Sequence, residues 1–317
     1  MTFTSAITGA ITGRIEICLP GRRLLARLIR WSYRTLRMLP LGRGCQWRTV
    51  KGIRMQIDST DPADRAFYAG SYAPYVADLL AIVVRPDDLC LDVGAQKGFF
   101  TLQMAKAVGV GGRIIAFEPD PRAMEILKTN VQRNGYKQVL LHSYAVGDCE
   151  GHCQLALSRQ LGWSSRFPND IATPTVESSI AVRTRCLDDV VKELGILPQT
   201  HRLSFIKIDA EGSEPLILQG AQETLRRFRP TLHIEVNKPS LCAGGFSTDS
   251  IETLLRSLDY RLYAIHFHRT GRLLRHRLSL VPVTSLQTEL GDCEDVLAVG
   301  VRECLGATDV LRGECGG

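Results

Sequence analysis

The chain has 317 residues, of which 44% are hydrophobic and 23% charged, a composition typical of a globular protein with a sizeable core. Its formal net charge of +6 is local, because residues 1–57 contain eleven Arg or Lys and one acid, while the rest carries 28 basic against 32 acidic side chains. This mildly acidic body argues against a nucleic-acid-binding groove, and the length allows one large α/β domain or two small ones.

The basic leader contains one segment with helical spacing, residues 22–39. Five arginines recur there at steps of four and three and share one helix face: Arg23, Arg27, Arg30, Arg34 and Arg37. Such a helix either packs on the domain with a solvated arginine face or lies peripherally on an anionic membrane. The leader has no stretch of roughly 18 uncharged apolar residues that could span a membrane, and residues 1–13 lack the basic start of a signal peptide.

Ten cysteines are scattered singly, and no C-x-x-C pair occurs. Cys149 and Cys153 with His152 form a weak metal-like cluster, but no second ligand pair accompanies them, so a zinc site is not favoured. The pattern indicates reduced thiols and predicts a cytoplasmic protein, with peripheral membrane contact through residues 22–39 as a further expectation.

The elements before the central stretch are a β-hairpin over residues 47–58 and a helix within residues 64–84. The central stretch is residues 89–121, LCLDVGAQKGFFTLQMAKAVGVGGRIIAFEPDP. It predicts a buried strand, a turn between Gly94 and Gly98, a helix, a second strand and an acidic residue, Glu118. Glycines let the backbone approach a ligand closely, and a carboxylate about 20 residues on suits a ribose diol.

Two cofactor classes use that geometry. A dinucleotide fold would present G-x-G-x-x-G, so that a pyrophosphate meets the helix N-terminus. Here Asp92 replaces the first glycine. A carboxylate there would repel a pyrophosphate and suits the cationic S-adenosylmethionine, so the methyl donor is favoured over NAD. The alternative is an α/β turn with a structural aspartate.

The rest of the chain continues the alternation of strands and helices. Predicted helices cover residues 122–134, 187–194, 214–228 and 250–258; strands cover 139–146, 203–208, 231–237, 261–267 and 295–301; an inserted hairpin pairs 154–158 with 180–184; residues 269–277 are a basic loop.

Acidic residues cluster where the fourth and fifth strands end. Asp209 and Glu211 follow the fourth strand, and Glu235 lies on the fifth, so all three should border the crevice where open α/β sheets bind ligands. They are candidate general bases; the alternative is helix capping and compensation of the helix dipole. His233, between two apolar residues, is interpreted as a core residue.

These motifs, in this order, resemble the FkbM-type methyltransferases. The resemblance is carried by LDVGAQKGFFT, FEPDP, the pair Asn130 and Asn134, AVGD, LDD, IKIDAEGSE, L-x-G-A and RPTLHIE, from about residue 67 to residue 237 and more loosely to 301. The departure is Gln96–Lys97 in the first turn, where the family more often has a smaller polar pair; we expect Lys97 to point to solvent.

The resemblance implies an S-adenosylmethionine-dependent O-methyltransferase that acts on a hydroxyl of a sugar, glycan or natural-product acceptor, small or lipid-linked. It implies a class I, Rossmann-like α/β fold: a doubly wound seven-stranded sheet of order 3-2-1-4-5-7-6 with strand 7 antiparallel, plus the inserted hairpin. The predicted division is a leader (1–57), a methyltransferase domain (58–302) and a tail (303–317). Alternatives are a non-catalytic module that keeps the cofactor fold and, less favoured, an NAD-dependent oxidoreductase.

The resemblance also assigns roles. Those expected to bind the cofactor are Asp92, Gly94, Ala95, Gly98, Glu118 and Asp148, with the backbone of Ala145 or Val146 as an equal alternative for the adenine edge. Asp209, Glu211 and Glu235 are the catalytic candidates. Asp209, Glu235 and Asn237 also resemble the divalent-metal site of catechol-type methyltransferases, which is the less favoured alternative.

Overall fold

The computed structural model describes residues 15–18, 44–69, 72–168, 175–270 and 275–301. The predicted helix at residues 22–39 and the tail 303–317 lie outside these ranges. The first elements are β1 (Ile15–Cys18), β2 (Cys45–Val50), β3 (Ile53–Asp58), α1 (Pro62–Ala69) and α2 (Val76–Val83). Strands β2 and β3 form the predicted hairpin. Its residues Ile53, Met55 and Ile57 are buried in the domain core, although most of the hairpin was assigned to the leader.

The predicted helix within residues 64–84 is confirmed as α2, and a second helix, α1, precedes it across an interruption. Ala73 has a φ of +35° and precedes Pro74. A residue before proline is sterically disfavoured in the helical region, so the helix cannot continue through this point.

The middle of the chain alternates strands and helices as expected. It comprises β4 (Leu89–Val93), α3 (Phe99–Val108), β5 (Arg113–Phe117), α4 (Pro121–Asn134), β6 (Val139–His142), β7 (Ala145–Gly147), β8 (Gly151–Ser158), β9 (Val176–Cys186) and α5 (Leu187–Glu193). The predicted single strand over 139–146 is wrong, since β6 joins the main sheet and β7 pairs with β9 in a small sheet of order β7-β9-β8. The antiparallel pair of β8 and β9 is the predicted inserted hairpin.

The remaining elements complete the main sheet. They are β10 (Leu203–Ile208), α6 (Glu214–Gln219), α7 (Gln222–Phe228), β11 (Thr231–Asn237), α8 (Lys238–Ala243), α9 (Thr248–Ser257), β12 (Tyr260–Thr270), β13 (Arg275–Pro282), α10 (Leu286–Glu289) and β14 (Cys293–Gly300). The predicted helix over 214–228 is divided at Gly220, where an added Cβ would lie 2.1 Å from the carbonyl oxygen of Gly147. The predicted loop over 269–277 is wrong, because β12 and β13 pair there.

The main sheet has nine strands in the order β1-β13-β12-β14-β11-β10-β4-β5-β6. Strands β11, β10, β4, β5 and β6 are parallel to their neighbours within this group, and β14 runs antiparallel to β11. In the predicted numbering, the segment from β6 to β12 reads 3-2-1-4-5-7-6. The predicted total of seven strands is wrong, because β13 and β1 extend the sheet beyond β12.

Apolar residues cover both faces of the sheet. Along β4, Leu91 packs in the cluster that contains α5, α6, α7 and α9, whereas Cys90 packs in the cluster that contains β3, α2 and α3. Successive strand residues therefore point into opposite helical layers, which is the arrangement of a doubly wound sheet. This scaffold brings the loops after β4, β5 and β10 to one edge.

Candidate functional site

The described residues form a cleft at the carboxyl ends of β4, β5, β10 and β11. Of the predicted site residues, those lining it are Gly94, Ala95, Glu118, Asp209, Glu211 and Glu235. Parallel strands place their carboxyl ends along one edge, and ligands of open α/β sheets bind in the crevice outside that edge. Six of the nine predicted residues thus meet in one cleft.

The turn after β4 is shaped by two glycines in the left-handed region. Gly94 has a φ of +77°, and the backbone N–H groups of Gly94 and Ala95 both donate to the Phe117 carbonyl at 3.0 Å. A Cβ at Gly94 would lie 1.8 Å from the carbonyl oxygen of Asp209. Gly98, with a φ of +94°, packs against Leu127 and opens α3 without lining the cleft. A side chain at Gly94 would thus collide with the backbone after β10, and one at Gly98 with Leu127.

Asp92 is fully buried beneath this turn. One carboxylate oxygen accepts a hydrogen bond from the Thr101 hydroxyl at 2.5 Å, and the other lies 3.8 Å from the Lys207 ammonium with no hydrogen-bond partner among the described residues. Burial raises the pKa of Asp92. The side chain does not line the cleft, and a role of Asp92 in cofactor binding stays a prediction.

Glu118 lies at the end of β5 with its carboxylate in the cleft. One oxygen accepts the backbone N–H of Gln96 at 2.7 Å, and the other accepts that of Asp120 at 2.8 Å. Burial outweighs these hydrogen bonds and raises the pKa of Glu118 to about 7. Each carboxylate oxygen has a second lone pair, so a diol in the cleft can still donate to both.

Of the two other predictions about polar residues near the turn, the one that Lys97 points to solvent is wrong, and the one that Asp148 contacts the adenine edge stays a prediction. Lys97 is only 3% exposed and pairs with Asp61 and Asp64 instead of pointing to solvent. Asp148 is exposed and lies outside the cleft, which is lined there by Ala145 and Val146. These two neighbours were the open alternative for the adenine edge.

Three carboxylates converge on the opposite side of the cleft. One oxygen from each of Asp209, Glu211 and Glu235 lies within 4.8 Å of the others. Burial and the neighbouring Asp209 raise the pKa of Glu211 to about 8, and the Asp209 charge followed by burial raises that of Glu235 well above its ordinary value. Such like-charged groups titrate together, and a proton held among them can be exchanged with a ligand hydroxyl.

Lys207 is the cation of this site and was missed in the sequence. Its ammonium donates to the Gly94 carbonyl at 2.6 Å and lies 3.0 Å from an Asp209 oxygen. Burial by itself lowers the pKa of Lys207, but Asp209 and Asp92 outweigh burial and raise it. A signal was available: a lysine inside the apolar run LSFIKI, which the parallel register pairs with Asp92.

The loop of the inserted hairpin crosses the cleft and is bound to three of its turns. The Gln96 amide donates to the Leu161 carbonyl at 2.9 Å, and the Ser164 hydroxyl donates to Asp120 at 2.8 Å. The Ser165 hydroxyl donates to the Glu211 carbonyl at 2.7 Å. The loop therefore closes one side of the cleft; its lining residues are Gly162, Trp163, Ser164 and Arg166.

The structure changes the candidate metal donors. Asn237 caps α8 by accepting the backbone N–H of Ser240 at 3.1 Å, and Glu211 takes its place beside Asp209 and Glu235. Three carboxylates are a donor set for a hard divalent ion such as Mg²⁺. His233 is 2% exposed, which confirms its assignment to the core.

Stability should fall as the pH rises, because three buried carboxyls keep their protons in the folded state. The pKa values of Glu118 and Glu214 are raised to about 7 and that of Glu211 to about 8, mainly by burial. The unfolded chain ionises these groups near pH 4.5, so between about pH 4.5 and 8 it binds fewer protons than the folded protein. We expect the thermal midpoint to decrease over this window, with a shallower decrease in Glu118→Gln; a midpoint that rises throughout would contradict this.

Comparison with known proteins assigns the family. The methyltransferase FkbM domain matches residues 92–262. "Methyltransferase 1" of Beauveria bassiana (strain ARSEF 2860) is 25% identical over 154 residues, which is 44% of this chain and 60% of that protein. The chain thus spans well under two thirds of this relative.

Solved structures of methyltransferases are also similar to this chain. Methyltransferase FkbM from Methylobacillus flagellatus KT is 18% identical, with a TM-score of 0.39 over 80% of this chain and 60% of that one. A SAM-dependent O-methyltransferase from Thermotoga maritima is 10% identical, with a TM-score of 0.36 over 72% of this chain and 66% of that one. Since the family match covers more than half of the chain, this protein belongs to the FkbM methyltransferase family.

Proposed function

We propose that the protein is an S-adenosylmethionine-dependent O-methyltransferase whose acceptor is a hydroxyl of a sugar, glycan or natural product. The observation that carries the proposal is the joint placement of the Gly94 turn, the Glu118 carboxylate and the three clustered carboxylates in one cleft. The name of the Thermotoga maritima structure, a SAM-dependent O-methyltransferase, agrees with this reaction.

The residues present fit the methyl donor. Gly94 lines the cleft, so the backbone of its turn is accessible to a ligand there, and Glu118 offers two oxygens to a ribose diol. Asp209 is paired with Lys207, and a positively charged ligand beside Glu211 and Glu235 would favour their ionised forms, so the cluster suits a cation. When bound, S-adenosylmethionine supplies an electrophilic methyl group on a sulfonium.

The chain's own contribution is to orient the acceptor and to remove its proton. Positioning a hydroxyl about 3 Å from the methyl group can account for much of the rate, and a carboxylate can accept the hydroxyl proton. Lys207 pairs with Asp209, so Glu211 and Glu235 are the better bases. Their raised pKa values make them stronger bases than an ordinary carboxylate.

Calorimetry and isotope transfer test the proposal together. We expect S-adenosylhomocysteine to bind and NAD⁺ not to bind, and we expect labelled methyl to pass from S-adenosylmethionine to a sugar or natural-product hydroxyl. Binding of NAD⁺ alone would favour the oxidoreductase. Binding without transfer to any acceptor, including total metabolite extracts, would favour a non-catalytic module.

Metal removal tests the alternative use of the carboxylates. If Glu211 or Glu235 acts as the base, dialysis against EDTA should leave methyl transfer unchanged. If the cluster with Asp209 instead holds an ion that lowers the acceptor's pKa, EDTA should abolish transfer and Mg²⁺ should restore it.

A lipid-linked acceptor would place the enzyme at a membrane surface, and the basic segment 22–39 motivates this further proposal. Among the described helices, none has the length and apolarity to cross a bilayer. We expect the protein to co-sediment with anionic vesicles. A variant in which the five arginines that share one face are replaced by glutamine should stay in the supernatant; they are Arg23, Arg27, Arg30, Arg34 and Arg37. Equal partition of both proteins would contradict membrane binding through this segment.

A further inference from the structure

We propose that Lys97 is a positioning residue that links the donor-binding turn to helix α1, so that these two walls of the cleft keep a fixed position relative to each other. The inference rests on the proposed function, because it takes the turn from Gly94 to Gly98 as the donor site. Lys97 lies within that turn but does not line the cleft; its side chain extends away from it.

The side chain of Lys97 is buried between two acids at the start of α1. Its ammonium donates to Asp61 at 2.9 Å and to Asp64 at 2.8 Å. Asp64 is 1% exposed, and its other oxygen accepts the backbone N–H of Asp58 at 2.7 Å. The turn is therefore joined to both the end of β3 and the first turn of α1.

The main chain of Lys97 is fixed from a second direction. Its carbonyl accepts the side-chain amide of Asn130 at 2.7 Å, and the oxygen of the same amide accepts the backbone N–H of Gln56 at 2.9 Å. Both anchors lead to the N-terminal hairpin and α1, which are outside the family match. The turn is thus tied to a part of the chain that precedes the matched residues.

The two joined parts face each other across the cleft. The neighbouring Gln96 donates its backbone N–H to Glu118 on the donor side. From the other part, Phe67 of α1 and the following Tyr72 line the cleft and pack against Phe99, the first residue of α3, at ring distances of 5.2 and 5.5 Å. The charges of Asp209 and Glu235 raise the pKa of Tyr72 further than burial alone, which places this wall beside the carboxylate cluster.

Charge pairing explains why a lysine occupies the position. Burial by itself lowers the pKa of Lys97, and Asp64 reverses the effect and raises it. Buried ion pairs often contribute little net stability compared with well-packed neutral groups, although removal of one partner is strongly destabilising. A charge-balanced neutral replacement can therefore recover stability while it loses the directed link, and this separates positioning from stability.

The test compares Lys97→Met with Lys106→Met, which makes the same change at an exposed lysine of α3 outside the cleft. The probe is S-adenosylhomocysteine. Calorimetry measures its affinity, and hydrogen exchange of the backbone amides in residues 63–69 measures its effect on α1. We expect Lys97→Met to bind the probe about 100-fold more weakly, since misplacement by about 1 Å can have effects of that size. In the wild-type protein and in Lys106→Met the probe should slow exchange in α1; in Lys97→Met it should not.

The triple variant Lys97→Met, Asp61→Asn, Asp64→Asn covers the case in which Lys97→Met does not fold. We expect its thermal midpoint to recover toward the wild-type value while α1 remains unresponsive to the probe. Protection of α1 by the probe in either variant, or affinity at the wild-type value in the triple variant, would overturn the inference. If the wild-type protein itself failed to bind the probe, the proposed function would fail, and this inference with it.

Discussion

Replacement of Gly94 by alanine is expected to abolish donor binding, with a loss of at least about 100-fold in affinity. The added Cβ would lie 1.8 Å from the Asp209 carbonyl oxygen, a separation that requires backbone movement. That movement would displace both the turn and the first of the three clustered carboxylates. The hydrogen bond from Lys207 to the Gly94 carbonyl would be distorted at the same time.

Gly135→Ala is the matched control, because Gly135 at the end of α4 has a left-handed φ of +69°, close to the +77° of Gly94, and open space where its Cβ would lie. Both variants carry the strain of alanine at a positive φ, about 1–2 kcal/mol, but only Gly94→Ala meets the backbone of another loop. Calorimetry with S-adenosylhomocysteine and thermal unfolding measure the two effects separately. Equal affinities of the two variants for the probe would contradict a close approach of the ligand to this turn.

The sequence predicted the parts of the site that are local or that follow from strand direction. The boundaries of the elements from β4 to Glu118 could be predicted from the segment itself, because Gly94, Gly98 and the following helix are contiguous in the chain. That Asp209 and Glu235 lie near this turn could also be predicted, because the carboxyl ends of parallel strands share one edge of the sheet and ligands bind there. Both kinds of argument need no knowledge of side-chain packing.

The errors concern side chains whose partners are distant in the sequence. Lys97 was expected in solvent because a lysine would repel a cationic cofactor, but its ammonium is bound by Asp64, 33 residues earlier. Asp92 was correctly singled out as unusual, yet its position under the turn depends on Thr101 and on Lys207 of another strand. From the sequence, the charge of Asp92 was assigned to a cationic ligand, whereas in the structure Asp92 lies beside Lys207 of the protein itself.

The inserted hairpin shows a third kind of limit. Its strands were recognisable in the sequence, but the loop's three attachments to Gln96, Asp120 and Glu211 depend on the path of the chain through space. Strand β13 was missed because its buried Leu278 and Leu280 follow the basic residues that were predicted to form a loop. Strand β1 was missed because it has only four residues and its partner β13 is distant in the sequence.

Glu235→Gln is expected to lower kcat by about 10²–10⁴, the usual contribution of a general base. The change keeps the size of the side chain and removes its ability to accept a proton. The affinity for S-adenosylhomocysteine should change little, because the Gly94 turn and Glu118 are untouched. Glu223→Gln is the control, since Glu223 is an exposed glutamate on α7 paired with Arg227, outside the cleft.

Glu211→Gln separates the two candidate bases through the pH dependence of kcat. In the wild-type protein, activity should rise with pH as the carboxylate cluster loses its protons, because a base acts only when it is deprotonated. The charge of Glu211 is one of the causes that raise the pKa of Glu235, so its removal should move this rise to lower pH while most activity remains. A Glu211→Gln variant as inactive as Glu235→Gln, with no displaced rise, would instead assign the base to Glu211. That result would leave Glu235 the role of raising its partner's pKa.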